Sequence, residues 1–398
     1  MIQNNFSPWP SHTQEEADEI QRVLLSNRVN YWTGYECREF EKEFAKFSDS
    51  KYAIAVSNGT TALDLALIAL GIGEGDEVIV TSRTFLASVS SIVNARAKPV
   101  FADISLDSQN ITAELVLKVL TDKTKAIVCV HLAGWSCDMD PIMQLADQHN
   151  LVVIEDCAQA HGAMYKGQSV GSIGHIGAWS FCQDKIITTG GEGGMVTTND
   201  RELWSRMWSF KDHGKNWGAV YECKHPPGFR WLHYSFGTNW RMTEMQAAIG
   251  RIQLKRMPKW HETRNKNANA IWNAAKQLNR LRVPGFSCDN CQNKCDQTTC
   301  CTHAAYKCYV FVEGTEADRN AIMASINEQG VPCFSGSCSE VYREKAIDNT
   351  SFKPKERLPI AKLLGETSLM FLCHPTLTED EIRKTCDVMT AVVADYFA

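Results

Sequence analysis

Between about residues 52 and 198, the sequence alternates short aliphatic and β-branched runs with longer segments of helical periodicity. Such alternation is typical of a parallel or mostly parallel sheet with helices on both faces, because parallel neighbours require a crossover connection. We therefore expect an α/β domain. The runs predicted to be strands are residues 52–56, 78–80, 99–102, 126–131, 151–155, 178–181 and 194–197.

The length of 398 residues is more than one typical domain requires. We predict an N-terminal arm with a packing helix over residues 1–50, a large α/β domain over 51–255, and a smaller α+β domain over 256–398. The smaller domain is predicted from a polar helix at 259–278, a strand at 306–313, a helix at 316–329 and a final helix after Thr378.

The charge balance and the apolar segments exclude some classes of partner. Lys and Arg total 41 against 46 Asp and Glu, a net charge of −5 that argues against a nucleic-acid partner. No apolar run approaches the ~18 residues of a membrane span, and the first ten residues do not resemble a signal peptide. We expect a cytoplasmic protein without a membrane partner.

The chain has 16 cysteines. Most are scattered singly, as small buried hydrophobes are in a reducing compartment. The exception is a cysteine-rich insertion at residues 286–303, which is compatible with a small zinc knot. A surface hairpin with free or paired thiols is equally compatible, and a redox role is a third alternative. The candidate zinc ligands are Cys288, Cys291, Cys295, Cys300 and Cys301.

Three segments carry residues suited to chemistry. Ser57–Thr61 follows a strand and opens a helix, where unpaired N–H groups and a glycine can receive a phosphate, although a simple helix cap explains the segment as well. Asp156 ends a strand, in position either to hold a cationic ring nitrogen or to cap the next segment. Lys185 lies between a strand and a glycine-rich turn, which favours a Schiff-base lysine over a surface charge.

A phosphate cradle, an acid for a ring nitrogen and a Schiff-base lysine are together what pyridoxal phosphate (PLP) requires. With these segments, the chain resembles the DegT-type sugar-nucleotide aminotransferases, which are fold type I PLP enzymes. The resemblance extends from about Val29 to the C-terminus. It also rests on residues 73–78, 84–85, 131–134, 237–250 and 371–377.

The resemblance implies specific cofactor contacts. Lys185 corresponds to the Schiff-base lysine, Asp156 to the partner of the pyridine nitrogen, and Gln159 to the residue near the phenolic oxygen. Phe85 corresponds to an aromatic side chain that stacks on the ring. The residues that match phosphate ligands are Gly59, Thr60 and Ser180, together with Asn239, which in the family comes from the neighbouring subunit and so implies a homodimer with shared active sites.

The resemblance implies substrate contacts more loosely, at Thr33, Gly34, His161 and Arg241. His161 is equally compatible with a hydrogen-bonded histidine of the core.

The implied activity is transfer of an amino group from an amino acid, usually glutamate, to the keto-sugar of a nucleotide-linked sugar, with the cofactor alternating between PLP and pyridoxamine phosphate. A sugar dehydratase using the same cofactor is the alternative. Some related dehydratases also hold an iron–sulfur cluster, but they replace the Schiff-base lysine, which Lys185 argues against. A cofactor-bound regulator or scaffold is a third hypothesis.

Overall fold

The computed structural model describes residues 6–285 and 300–398. Its helices are α1 (Gln14–Leu25), α2 (Glu36–Phe47), α3 (Gly59–Ala69), α4 (Ala87–Asn94), α5 (Ala113–Leu117), α6 (Met139–His149), α7 (Arg201–Lys211), α8 (Trp217–Tyr221), α9 (Glu244–Ala275), α10 (Glu316–Glu328), α11 (Pro359–Thr367) and α12 (Glu379–Tyr396). Its strands are β1 (Tyr52–Val56), β2 (Glu77–Thr81), β3 (Lys98–Ala102), β4 (Thr124–Val130), β5 (Val152–Asp156), β6 (Met164–Tyr165), β7 (Gln168–Ser169), β8 (Ile176–Ser180), β9 (Gly194–Thr198), β10 (Leu281–Arg282), β11 (Cys308–Val312), β12 (Cys333–Phe334) and β13 (Ser368–Phe371).

The predicted strands assemble into a seven-stranded sheet in the order β1-β9-β8-β5-β4-β2-β3. The neighbours from β8 to β3 pair in parallel, whereas β9 pairs antiparallel with both β8 and β1. The connection from β8 to β9 contains no helical crossover, which is the condition for antiparallel pairing of consecutive strands. The prediction of a mostly parallel α/β sheet is confirmed.

The second N-terminal helix, α2, packs against the large sheet, whereas α1 packs against α9. In α2, Phe40 and Phe44 are completely buried. The Phe40 ring lies 5.4 Å from that of Phe181, and the Phe44 ring lies 5.1 Å from that of Trp179. Because Trp179 and Phe181 lie at the end of β8, α2 supports the strand that leads to Lys185.

The smaller domain is built on an antiparallel sheet in the order β10-β11-β13-β12. The predicted strand at 306–313 and helix at 316–329 correspond to β11 and α10 within a few residues. The final helix, α12, begins with the capping box of Thr378 and Glu381. The smaller domain therefore has the α+β character that the sequence predicts.

The helix α9 is longer than its sequence pattern suggests. It begins at Glu244, well before the predicted start at residue 259, with a capping box between Thr243 and Gln246. It continues through Pro258, and the proposed domain boundary at residue 255 falls inside it.

Among residues 6–285 and 300–398, no helix combines the length and apolar character that a membrane span needs.

Candidate active site

A cavity of about 760 Å³ lies beyond the carboxyl ends of β1, β4, β5 and β8. Open α/β sheets bind their ligands at this edge. The opposite wall comes from the smaller domain, including Tyr306, Lys307, Phe334 and Met370. Among the residues that line the cavity are seven of those that the sequence predicted to contact a cofactor: Gly59, Thr60, Phe85, Asp156, Gln159, Ser180 and Lys185.

The start of α3 forms a cradle for an anion at one end of the cavity. Asn58 caps the helix by accepting a hydrogen bond from the Thr61 amide at 2.9 Å. The Gly59 and Thr60 amides occupy the first helical turn, which has no intrahelical acceptors. A Cβ atom on Gly59 would lie 2.6 Å from Ser180 Cβ, so only glycine permits this close approach.

Asp156 presents a buried carboxylate at the end of β5. Its Oδ2 accepts a hydrogen bond from Ser88 Oγ at 2.7 Å, and its Oδ1 accepts one from the Ala158 amide at 3.1 Å. Burial raises the pKa of Asp156, while the Ser88 and Ala158 hydrogen bonds and the Lys185 charge oppose that rise. The carboxylate is thus held in a fixed orientation where it can face a cationic partner.

Lys185 lines the cavity from the turn after β8. Its Nζ lies 3.5 Å from Asp184 Oδ1 and 5.2 Å from the centre of the Tyr306 ring. Tyr306 Oη donates a hydrogen bond to Asp184 Oδ2. The carbonyl oxygen of Lys185 accepts a hydrogen bond from Trp9 Nε1 at 2.9 Å, so the N-terminal segment fixes the backbone of this lysine.

Gln159 is oriented by three contacts. Its Oε1 accepts hydrogen bonds from the Ala133 amide at 2.9 Å and from Ser337 Oγ at 3.3 Å. Its Nε2 donates to Cys338 Sγ at 3.2 Å.

Phe85, by contrast, is 67% exposed, so its ring is available to stack on a ligand in the cavity.

The structure does not bring every predicted site residue to the cavity. Asn239 is exposed and lies outside its lining. Arg241 also lies outside, where its Nη1 donates to Asp212 Oδ1 at 2.7 Å. Thr33 is exposed, and Gly34 lies against the Glu244 carboxylate, where a Cβ would come within 2.3 Å of Glu244 Oε2.

His161 lies in the core rather than at the cavity. It is completely buried, its ring is 5.3 Å from that of Trp179, and neither ring nitrogen has a hydrogen-bond partner within 3.5 Å among residues 6–285 and 300–398. Burial lowers its pKa to about 3, so the ring is neutral. The burial of His161 favours the alternative of a core histidine.

The zinc hypothesis falls mostly outside the described residues, since Cys288, Cys291 and Cys295 are not among them. Cys300 takes part in a disulfide bond, which leaves it no thiolate for a metal. Cys301 Sγ accepts a hydrogen bond from the Lys166 amide at 3.4 Å.

A second group with metal-ligand side chains is buried beside the sheet, formed by His131, Glu155 and Cys157. Glu155 Oε2 lies 2.9 Å from His131 Nε2 and accepts a hydrogen bond from the Gly171 amide at 2.8 Å. Glu155 Oε1 accepts from two further amides, those of Ile173 and Gly174. These hydrogen bonds satisfy the carboxylate without a metal ion.

The sequence analysis did not identify several residues of the site. Asp184, Lys307 and Cys338 line the cavity, and Ser88 orients Asp156. The hydroxyls of Thr84 and Ser88, four residues apart after β2 and 2.8 Å from each other, are the one local pattern that would have indicated such a role. Lys307 and Cys338 come from the smaller domain, and only the tertiary fold brings them to the cavity.

The residues of the cavity fit PLP. Its phosphate fits the N-terminus of α3, where Gly59 allows a close approach. Its pyridine nitrogen fits the buried carboxylate of Asp156, which has no cationic side chain within ion-pair distance among the described residues. Its aldehyde matches Lys185, whose ammonium faces the cavity. The fold and this donor set define the class of PLP-dependent transferases with the fold type I architecture.

The comparisons with known proteins identify the family within that class. Residues 10–390 match the DegT/DnrJ/EryC1/StrS aminotransferase family, and the chain belongs to this family. A solved aminotransferase from Psychrobacter cryohalolentis is 64% identical, with a TM-score of 0.94 over 99% of this chain and 100% of that chain.

Two curated relatives carry more specific names. A GDP-perosamine synthase from Escherichia coli O157:H7 is 35% identical over 97% of this chain and 98% of its own length. A dTDP-3-amino-3,6-dideoxy-alpha-D-galactopyranose transaminase from Aneurinibacillus thermoaerophilus is 32% identical over 95% of both chains. These findings favour the aminotransferase over the dehydratase alternative.

Proposed function

We propose that this protein is a PLP-dependent aminotransferase that moves an amino group from an amino acid to the keto-sugar of a nucleotide-linked sugar. The observation that carries the proposal is the convergence of Lys185, Asp156 and the Gly59 helix terminus on one cavity. Family membership and two relatives named for amino sugars linked to GDP and dTDP support the substrate class.

When bound, PLP supplies an electron sink for the negative charge that develops on the substrate carbon. Asp156 keeps the pyridine nitrogen protonated, because a carboxylate close to a cation favours the charged form. The hydrogen bonds from Ser88 Oγ and the Ala158 amide keep that carboxylate ionised and oriented. The Gly59 and Thr60 amides and the Ser180 hydroxyl hold the phosphate.

Lys185 acts as the base that carries a proton from the substrate carbon. Its Nζ lies near both the Asp184 carboxylate and the face of Tyr306, and these contacts restrict the movement of the amino group within the cavity. Asp184 is itself fixed by the Tyr306 hydroxyl. These contacts orient the amine for proton transfer within the cavity.

We further propose a homodimer in which Asn239 contacts the phosphate in the partner's site. In support, Asn239 is exposed and does not line the cavity of its own chain. The segment before it carries four large apolar side chains that are 70–97% exposed, as expected of a surface covered by a second copy. They are Phe229, Trp231, Tyr234 and Phe236.

The test is a screen of GDP- and dTDP-linked 3-keto- and 4-keto-sugars with glutamate, read by mass spectrometry. We expect an aminated sugar and an equal amount of 2-oxoglutarate, as well as a visible absorbance band from bound PLP that glutamate removes. Lys185→Ala should lose both, whereas Lys362→Ala, which removes an exposed lysine, should keep both. A wild type that stays colourless with added PLP, or that converts sugar without consuming glutamate, contradicts the proposal.

A further inference from the structure

A second pocket, of about 170 Å³, adjoins the catalytic cavity. It lies between the N-terminal segment, the start of β11 and the residues after β13. Four residues line both spaces: Asp184, Tyr306, Lys307 and Leu372. A ligand in the cavity can therefore extend a group toward this pocket.

The pocket contains a buried arginine with incomplete hydrogen bonding. Arg264 is 1% exposed, and its Nη1 donates to the Ala305 carbonyl oxygen at 3.4 Å. Its Nε and Nη2 have no hydrogen-bond partner in the part of the chain that the structure describes, and its guanidinium lies 4.8 Å from the centre of the Trp9 ring. No carboxylate within residues 6–285 or 300–398 lies within 4.0 Å of it. A buried guanidinium in this state is costly unless an anion completes it.

A second cation lies at the junction of the two spaces. Lys307 Nζ is 4.9 Å from the centre of the Tyr306 ring. Lys185 Nζ is 5.2 Å from the centre of the same ring. No carboxylate in the described part of the chain lies within 4.0 Å of the Lys307 ammonium. Burial lowers the pKa of Lys307, and the charges of Arg264 and Lys185 act in the same direction, whereas the Asp184 carboxylate opposes them.

Among the described residues, the other charges near the pocket compensate Arg264 and Lys307 only in part. Asp184, the carboxylate of the pocket lining, already interacts with Lys185 and Tyr306. His374 is neutral, because burial lowers its pKa to about 3. Glu381 accepts a hydrogen bond from the Ser7 amide, outside the pocket lining. The pocket thus has an excess of positive charge, which favours an anionic ligand.

We propose that Lys307 and Arg264 bind the side-chain carboxylate of a dicarboxylic amino acid that serves as the amino donor. The inference rests on the proposed aminotransferase function. A pocket of 170 Å³ is suited to a carboxylate rather than to a nucleoside diphosphate. It begins at Asp184 and Tyr306, which contact Lys185, and the amino group of the donor must react beside Lys185. The planar guanidinium of Arg264 also matches carboxylate geometry.

The first test measures binding without chemistry. Calorimetry on the full-length protein compares glutarate, which has two carboxylates and no amino group, with butyrate, which has one. We expect glutarate to bind more tightly than butyrate. Lys307→Met should weaken glutarate binding by about 10- to 100-fold, the range for a hydrogen bond to a charged group. Lys266→Met, which removes an exposed lysine of α9 that pairs with Glu379, should leave glutarate binding unchanged.

Arg264→Lys provides a second variant, since it keeps the buried charge and loses the planar fork. Arg264→Lys should weaken the binding of glutarate more than the binding of butyrate. The inference is overturned if Lys307→Met binds glutarate as wild type does, or if the wild type binds both acids equally. It is also overturned if inorganic phosphate binds as tightly as glutarate with the same loss in Lys307→Met, because the pocket would then be a general anion site.

The second test measures the amino-donor reaction. Lys307→Met should raise KM for glutamate about 10- to 100-fold and should reduce kcat/KM for alanine much less, so that the preference for glutamate disappears. An equal loss for both donors overturns the inference. If no donor reacts with the wild type but glutarate binding still depends on Lys307, the proposed function fails and the carboxylate site stands.

Discussion

Ser88 Oγ donates a hydrogen bond of 2.7 Å to Asp156 Oδ2, and so joins the start of α4 to the end of β5 inside the cavity. The Ser88 hydroxyl in turn lies 2.8 Å from that of Thr84. This contact makes the ionisation of Asp156 depend on Ser88, a residue that the sequence analysis did not single out.

Ser88→Ala should therefore move the acid limb of the pH–rate profile. Burial already raises the pKa of Asp156, and the Ser88 hydrogen bond opposes that rise, so its loss raises the pKa further. We expect the acid limb of kcat/KM to shift upward by about 1 to 2 pH units. Ser90→Ala, on the same helix and without contact to Asp156, should keep the wild-type profile. A shift downward would contradict the prediction.

Gly59→Ala should weaken cofactor binding more than it weakens the fold. The added Cβ would lie 2.6 Å from Ser180 Cβ and would narrow the anion cradle, whereas alanine is acceptable to the helix itself. We expect the Kd for PLP, measured by absorbance titration, to rise about 10- to 100-fold. Gly73→Ala is the matched control, since its Cβ would lie 3.7 Å from the nearest atom, and unaltered PLP affinity in Gly59→Ala would refute the cradle.

Asp212→Asn should destabilise the protein. Asp212 is fully buried, and its Oδ1 accepts from Arg241 Nη1 at 2.7 Å and from Lys215 Nζ at 3.2 Å. Its neutralisation leaves two largely buried cations without their partner, which costs about 3–5 kcal/mol. Chemical denaturation should reveal this loss, while Glu74→Gln, in an ion pair that is exposed on both sides, should have little effect. Equal stability of the two variants would contradict the prediction.

His161 should contribute to loss of stability in acid. Its pKa in the folded protein is about 3, lowered by burial from 6.5, so the unfolded chain binds a proton that the folded chain does not. The free energy of unfolding therefore falls by about 1.4 kcal/mol per pH unit, for this one group, as the pH falls from 6.5 toward 3. His161→Leu should reduce the slope by that amount in denaturation experiments at several pH values. The exposed His149, replaced by Gln, should leave the slope unchanged.

The sequence predicts the parts of the site that local patterns encode. Asp156 and Lys185 follow recognisable strands, and Gly59 opens a helix, so each could be placed at the same edge of the sheet. Lys307 and Arg264 could not be found in this way, because they come from separate elements of the second half of the chain and only tertiary packing brings them to one pocket beside Asp184. His161 was ambiguous for a related reason, since a histidine in a motif has the same spacing whether it faces a ligand or the core.

The limits of α9 show a different difficulty. Pro258 removes one backbone donor and disfavours helix in the residue before it, so a local pattern predicts a helix that begins after it. The helix nevertheless continues through Pro258, with Leu254 and Met257 buried before the proline and Arg264 buried after it. Tertiary packing on both sides outweighs the local penalty.

The continuity of α9 has a practical consequence for protein engineering. A chimaera that joined the first 255 residues of this chain to the remainder of a relative would place its junction inside a 32-residue helix. The first half of that helix contacts α1 and α2, while its second half contacts α12 and β11. Crossover sites for recombination between relatives are therefore better chosen on either side of α9, so that the whole helix is inherited from one parent.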